Sequence, residues 1–379
     1  MNWPMISLGE LVDIKGGGTP DKNNSEYWNG DIPWASVKDF KKNILDSTLD
    51  SITLLGVRNS ATSVIPAGNI IVPTRMALGK VAINTIDLAI NQDLKALFIK
   101  DNDVVDRDYL FRWLESQSSL IESEGKGATV KGITLPFLKG LNVPIPPINE
   151  QKRIAAILDK ADAIRQKREQ AIKLADDFLC ATFATMYGNP ITNPKKWPVH
   201  LMGEIIEFKG GNQPPKSDFI FEPKQGYIRL VQIRDFKSDK YATYIPQEKA
   251  KRIFEVDDVM IARYGPPVFQ ILRGLSGSYN VALMKASPKE NIRKGFIFYL
   301  LQLPEYHDVV VKNSERTAGQ TGVNLELLNK FNVPLPPIYY QDEILDRLAR
   351  IEKFKEKIEI SLNHLEIQFL SLQKRLMGF

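Results

Sequence analysis

The sequence predicts an α+β protein. Two similar globular α/β domains are expected, separated by two long helices that form an antiparallel coiled coil within the chain, with approximate two-fold symmetry. Three observations predict this. Asn142-Val143-Pro144-Ile145-Pro146-Pro147-Ile148 returns as Asn332-Val333-Pro334-Leu335-Pro336-Pro337-Ile338, a repeat far too long for a solenoid unit. Each copy opens a long amphipathic stretch. Gly9-Glu10 with Lys15-Gly16-Gly17 likewise returns as Gly203-Glu204 with Lys209-Gly210-Gly211. A duplicated body of this kind suits a target with two parts.

The first globular segment spans residues 1–148. Ile70-Ile71-Val72, Val81-Ala82-Ile83 and Leu94–Ile99 read as strands. Tyr109–Ile121 has helical spacing, with Asp106 or Asp108 suited to cap it. Gly16-Gly17-Gly18-Thr19-Pro20 reads as a loop. Pro144, Pro146 and Pro147 then stop regular structure, and the first long helix occupies 149–187. Asn149 is placed to cap it, Glu150 suits its positive end, and Gly188-Asn189-Pro190 ends it. The second globular segment is 188–338, and the second long helix is 339–379.

The second helix carries a heptad seam: Ile344, Leu348, Ile351, Lys355, Ile358, Leu362, Leu365, Phe369, Leu372 and Leu376. The same register in the first helix falls on Ile154, Leu158, Ala161, Arg165, Arg168, Ile172, Ala175, Leu179, Thr182 and Met186. Small residues at Ala161 and Ala175 match large ones at Ile351 and Leu365, which favours pairing with each other over self-pairing. These helices are structural. About 38 helical residues span roughly 57 Å, so the pair would act as a ruler between the two domains.

Bulk properties narrow the function. The chain has 379 residues and a net charge of +5, enough length for two or three cores. Residues 1–148 carry 15 Lys/Arg against 17 Asp/Glu, whereas 188–337 carry 21 against 15, so the second domain has the basic balance of a nucleic-acid binder. Cys180 is the single cysteine, which excludes an internal disulfide and a cysteine zinc site. No apolar run is long enough to span a bilayer and Met1–Pro4 does not resemble a signal peptide, so a cytoplasmic protein is expected. Enzyme machinery is not apparent. His200, His307 and His364 lack metal-ligand spacing, and Gly125–Thr129 lacks the order of a phosphate loop. Asp257-Asp258 reads as a turn.

Gly16-Gly17-Gly18-Thr19-Pro20, then Glu26–Trp34 (EYWNGDIPW) and Val37-Lys38-Asp39-Phe40, resemble the opening of a target-recognition domain in the specificity subunit of type I restriction–modification systems. Pro144–Pro147 followed by Glu150–Leu158 (EQKRIAAIL) is similar to the start of that family's central helix. The resemblance spans the whole chain. The second helix departs from it at Tyr339-Tyr340-Gln341, and the second domain has Gly210-Gly211-Asn212-Gln213-Pro214-Pro215 for the first loop. The resemblance implies a non-catalytic subunit that reads a bipartite, asymmetric duplex DNA site, one half per domain. It further implies two adenine-N6 methyltransferase partner subunits binding S-adenosylmethionine, and a restriction-translocase subunit using ATP and Mg. No cofactor or metal is expected on this chain itself.

Base edges are read by Arg or Lys on guanine and by Asn or Gln on adenine. On that ground the candidate DNA-binding residues of the first domain are Lys15, Thr19, Lys22, Ser36, Lys38, Arg75, Lys80, Thr129 and Lys131. In the second they are Lys209, Gln213, Gln232, Arg234, Arg263, Tyr264, Arg316 and Gln320. Lys38 beside Asp39-Phe40 matches Arg234 beside Asp235-Phe236, and Arg75 and Arg263 each follow a similar strand. Trp28 and Trp34, with Tyr27, read as core. Two alternatives stay open: the recognition subunit of a related type II-like methyltransferase/nuclease system, and a coiled-coil interaction hub with no DNA role.

Overall fold

The computed structural model describes residues 3–127, 131–265, 268–314 and 322–378. It divides into two compact units, residues 1–168 with 361–379, and residues 169–360. Each unit is a globular part together with one end of each long helix.

In the first unit, a five-stranded sheet has the order Val12–Gly16, Leu94–Ile99, Ile70–Pro73, Ala82–Asn84, Ile44–Leu45. The expected strand at Leu94–Ile99 is the central organiser, pairing antiparallel with Val12–Gly16 on one side and Ile70–Pro73 on the other. A second sheet runs Asp50–Ile52, Trp28–Ala35, Leu88–Ile90, Val64–Ile65. Met5–Ser7 pairs antiparallel with Asn142–Pro144, so the segment that introduces the first long helix is stitched to the chain's start.

The second unit repeats this plan. Its sheets run Ile206–Gly210, Leu283–Pro288, Val259–Ala262, Ile271–Leu272, and Tyr244–Pro246, Tyr227–Val231, Gly277–Tyr279, Ile253–Phe254. Val199–Leu201 pairs with Asn332–Pro334 as the counterpart of the stitch. Even a parallel pair in an otherwise antiparallel sheet recurs, Trp34 with Ala89 and Leu230 with Ser278. The duplication visible in the motifs is therefore a duplication of topology.

The expected helix over Tyr109–Ile121 is two helices, Arg107–Ser116 and Ser118–Ser123, meeting at Gln117. Ser116 turns its hydroxyl back to the Trp113 carbonyl at 2.6 Å and receives Gln117 Nε2 at 2.9 Å. Short polar side chains compete in this way with the backbone ladder. Asp106 caps the first of the two, accepting from the amides of Asp108 and Tyr109.

The long helices are Ile148–Tyr187 and Ile338–Met377. Asn149 lies inside the first turn rather than capping it, because the Pro147 carbonyl already accepts from the Glu150 and Gln151 amides. Gly188, at φ +93°, ends the helix in the left-handed conformation that glycine tolerates. In the first unit Ile154 and Leu158 share a core with Leu376, and Phe369 and Leu372 pack against it. In the second unit Leu179 shares a core with Ile344 and Leu348, with Ile351 and Met186 against it. Each unit thus joins the beginning of one helix to the end of the other. Along the seam, Ala175 and Ile358 are buried, and Ala161, Ile172, Leu362 and Leu365 are half-buried. The seam cation Lys355 meets Asp176 of the other helix at 2.6 Å. Arg165 pairs with Asp162 on its own helix at 2.8 Å.

Candidate nucleic-acid interface

In the first unit the glycine loop after the strand Val12–Gly16 lies against the turn Asn91–Asp93. Gly18 N donates to the Ile90 carbonyl at 3.0 Å. A Cβ at Gly17 would lie 1.9 Å from that same oxygen, so only glycine lets the two backbones approach. The tryptophans pin the loop: Trp34 Nε1 donates to the Gly18 carbonyl and Trp28 Nε1 to the Asp21 carbonyl, both at 3.0 Å. Their rings meet edge-on with centroids 5.1 Å apart. Trp34 is buried and Trp28 half-buried, so this pair is the floor that fixes the loop.

Above that floor is a cavity of about 420 Å3. Four of the expected residues line it: Thr19, Lys22, Ser36 and Lys38. Ser36 is held by Asp39, whose carboxylate accepts from the Ser36 amide at 2.7 Å and from its hydroxyl at 3.1 Å. Lys38, one residue earlier than Asp39, is left exposed. Arg75 reaches the cavity through Asp93, 3.7 Å away. Lys131 is exposed, and its carbonyl accepts from the amide of Met76, another lining residue. Lys15 sits 4.8 Å over the Phe98 ring, and Lys80 donates to the Phe40 carbonyl at 2.8 Å. Asn91, Gln92 and Asp93 also line the cavity and escaped the sequence reading. Their signal is a polar triplet between the apolar runs Leu88–Ile90 and Leu94–Ile99.

The second unit builds the corresponding loops from other side chains. A Cβ at Gly211 would lie 1.9 Å from the Asn280 carbonyl, and Asn212 N donates to the Tyr279 carbonyl at 3.1 Å. Gln232 takes the place of Ser36, its amide donating to Asp235 at 2.7 Å. Burial raises the Asp235 carboxyl above the ordinary range, a shift opposed by the Gln232 amide and by Arg229 and Arg234. Arg234 lies 5.5 Å over the Tyr241 ring, with Lys240 at the same distance. Tyr241 also escaped the sequence reading. Arg263 lies 5.2 Å over the Tyr264 ring. Gln213 is exposed on the loop, and Lys209 is paired with Glu207 at 2.7 Å.

The correspondence of Arg75 with Arg263 shifts by one residue. Thr74 N donates to the Asp93 carbonyl as Arg263 N donates to Ala282, and Ile133 and Val323 donate to the carbonyls of Thr74 and Arg263. Thr74 therefore matches Arg263, and Arg75 matches Tyr264. Thr129, Arg316 and Gln320 lie outside the described residues. No group of three or more His, Cys, Asp or Glu that could hold a metal occurs among the described residues. Among the described residues no helix is long and apolar enough to cross a membrane.

Two copies of one sheet-built module, each presenting amide and cationic side chains on glycine-anchored loops and each joined to helix ends, define a duplicated recognition protein. The chain belongs to the family described as the type I restriction modification DNA specificity domain, whose model matches residues 1–174 and 194–366. It is 40% identical over 165 residues to the type I restriction enzyme EcoR124I/EcoR124II specificity subunit of Escherichia coli, covering 42% of this chain and 40% of that one. It is 25% identical over 248 residues to the MjaIX specificity subunit of Methanocaldococcus jannaschii, covering 60% and 57%. These matches thus span less than two thirds of the relatives' own lengths. In fold the chain is similar to the type I restriction-modification S subunit from M. genitalium, with a TM-score of 0.55 at 17% identity over 99% of this chain and 96% of that one. A chain from a structure of the complex assembly and conformational transition of the type I R-M system is similar at TM-score 0.57 and 17% identity, over 99% and 97%.

Proposed function

We propose that this chain is the DNA sequence-recognition subunit of a type I restriction–modification complex. Each globular domain reads one half of a bipartite, asymmetric duplex site, and the paired helices set the unread gap. The observation that carries the reading is the repeat itself: matching loops in both units offer side chains suited to base edges (Ser36 and Lys38 in one, Gln232 and Arg234 in the other) on backbones fixed by Asp39 and Asp235. Base contacts specify and phosphate contacts position, so a rigid loop with a few amide and guanidinium groups fits sequence reading better than general adhesion.

The chain performs no chemistry of its own in this reading. It acts in the cytoplasm and holds two adenine-N6 methyltransferase subunits, which bind S-adenosylmethionine, and a restriction subunit, which uses ATP and Mg. Family membership supports these partners and the duplicated helix starts offer two equivalent places for them.

The full chain, co-expressed with the host's methyltransferase subunit, should copurify with it and retain duplex DNA in a salt-dependent way. Methylation-sensitive sequencing should then place modified adenines in a two-part motif. Adding one heptad to both long helices should widen the gap by about 10 Å, roughly three base pairs. A continuous motif would remove the two-domain reading, and an unchanged gap would remove the ruler.

A further inference from the structure

The two domains differ in where they carry a side chain able to bond one base at two atoms. We infer that Gln92 reads an adenine in the half-site of the first domain and that Arg234 reads a guanine in the half-site of the second. The inference rests on the DNA-reading role proposed above and adds which bases the chain demands.

Backbone contacts align the two sites residue by residue. Asn91 Oδ1 accepts from the Asp93 amide at 3.1 Å, and Asn280 Oδ1 accepts from the Ala282 amide at 3.2 Å. The residue after each asparagine is therefore equivalent: Gln92 in the first domain and Val281 in the second. Both are exposed, but only Gln92 has polar side-chain atoms. At the facing loop the Ser36–Asp39 and Gln232–Asp235 contacts, both 2.7 Å, set a second correspondence. Two residues beyond Ser36 and Gln232 are Lys38 and Arg234.

Lysine is a point charge, whereas the guanidinium fork matches guanine O6 and N7 together. A glutamine amide matches adenine N6 and N7 in the same way. At these two matched positions each domain thus has one two-atom reader, carried on opposite loops. Both readers are held in place before any base arrives, which lowers the ordering cost of binding. Thr19 donates its hydroxyl to Gln92 Oε1, leaving the second lone pair and the Nε2 hydrogens for a base. Thr19 is a positioning residue here. Arg234 is stacked on Tyr241 and its Nη2 lies 3.4 Å from the Tyr241 carbonyl, while the side chain stays half exposed.

The test selects a random-sequence duplex library on the full-length chain, copurified with its methyltransferase partner, at one fixed salt concentration. Wild type should enrich a two-part motif. Gln92→Ala should lose about 5- to 150-fold preference at one A·T position in one half, with the other half unchanged. Arg234→Lys keeps the charge and should lose a similar preference at one G·C position in the other half. Thr19→Val should weaken the Gln92-dependent position without altering retention of unenriched duplex. A two-part wild-type motif left intact by both reader variants, or changed at bases of the opposite type, would overturn the inference alone. Failure of wild type to enrich any two-part motif would overturn the proposed function and this inference together. Retention of unenriched duplex by each variant shows that it is folded.

Discussion

The two units attach their globular parts to the long helices at equivalent places but with different chemistry. In the first, Arg112 projects from the helix Arg107–Ser116 into carboxylates, 2.7 Å from Glu115, 2.8 Å from Asp159 and 3.3 Å from Asp162. In the second, the counterpart of Asp162 is Glu352, bonded by Arg273 and Tyr299. The counterpart relation follows from Gln151 and Gln341, which accept from the amides of Asp106 and Arg293 in turn. Exposure separates the two: the Arg112 and Asp162 side chains are 7% and 4% exposed, those of Arg273 and Glu352 33% and 34%. A duplicated fold therefore keeps the position of an acidic residue on the helix while changing what meets it. The buried version should be the less forgiving, since removing one partner leaves charges with no solvent.

The largest effect should come from Arg112→Met. Glu115, half-buried, would lose its cation and the buried Asp162 would keep only the cation of Arg165, so the first unit should lose about 3 kcal/mol. Four of the five tryptophans (Trp3, Trp28, Trp34, Trp113) lie in the first unit, so fluorescence during urea unfolding reports that loss. A loss below about 1 kcal/mol would mean that the network is replaceable by packing alone, as some buried ion pairs are. Next in size are Gly17→Ala and Gly211→Ala, which test sameness rather than difference. Both put a methyl group into a carbonyl at 1.9 Å, and each should cost at least the about 1–3 kcal/mol of ordinary overpacking. If one is tolerated, the two loops are not equivalent, and the alignment of Gln92 with Val281 loses its footing.

Glu352→Gln should cost less, about 1 kcal/mol. Arg273 and Glu352 are each a third exposed, the buried Tyr299 can still donate to the amide oxygen, and Arg273 keeps its stack 4.0 Å over Phe298. Burial lowers the Arg273 pKa and raises the Tyr299 hydroxyl to about 12, so both partners feel the apolar side of the contact. Trp197, the single tryptophan of the second unit, reports the change once the first unit's signal is subtracted. A cost above that of Arg112→Met would reverse the comparison.

Much of this architecture was legible because it was written twice in local signals. The proline bracket, Gly188 and the heptads fix the helices to within one residue at Ile148 and Ile338, and the run Leu94–Ile99 is a strand at its expected bounds. The break at Gln117 was not legible, since helical spacing continues through a serine-rich stretch whose hydroxyls only reveal their backbone bonds in three dimensions. In the site, the shared Asp-Phe after Lys38 and Arg234 gave the right correspondence. Arg75 and Arg263 resembled one another in type and place, yet the backbone pairs Thr74 with Arg263. Gln92 was invisible for another reason: its partner Thr19 is 73 residues away, brought near by sheet pairing and by a contact that glycine alone permits.

The smallest effect, and the sharpest probe of the difference between anchors, is its acid dependence. Burial would raise the Asp162 pKa, but hydrogen bonds from Arg165 and the charge of Arg112 outweigh it and hold the carboxyl below its ordinary value of 3.8. A carboxyl whose folded pKa is depressed adds stability above its unfolded pKa and loses it as pH falls through the folded one. Glu115 has the opposite sign: burial, only partly offset by Arg112 and Asn43, lifts it above 4.5, so its contribution falls as pH rises above that value. The windows do not overlap. The stability gap between wild type and Asp162→Asn should therefore hold from pH 7 to about 4 and narrow below it, while the same gap for Glu115→Gln should change only above pH 4.5. Urea titrations read by tryptophan fluorescence across that range measure both gaps. A flat Asp162→Asn gap down to pH 3 would show that hydrogen bonding by the neutral side chain, and not its charge, fastens the first domain to its helix.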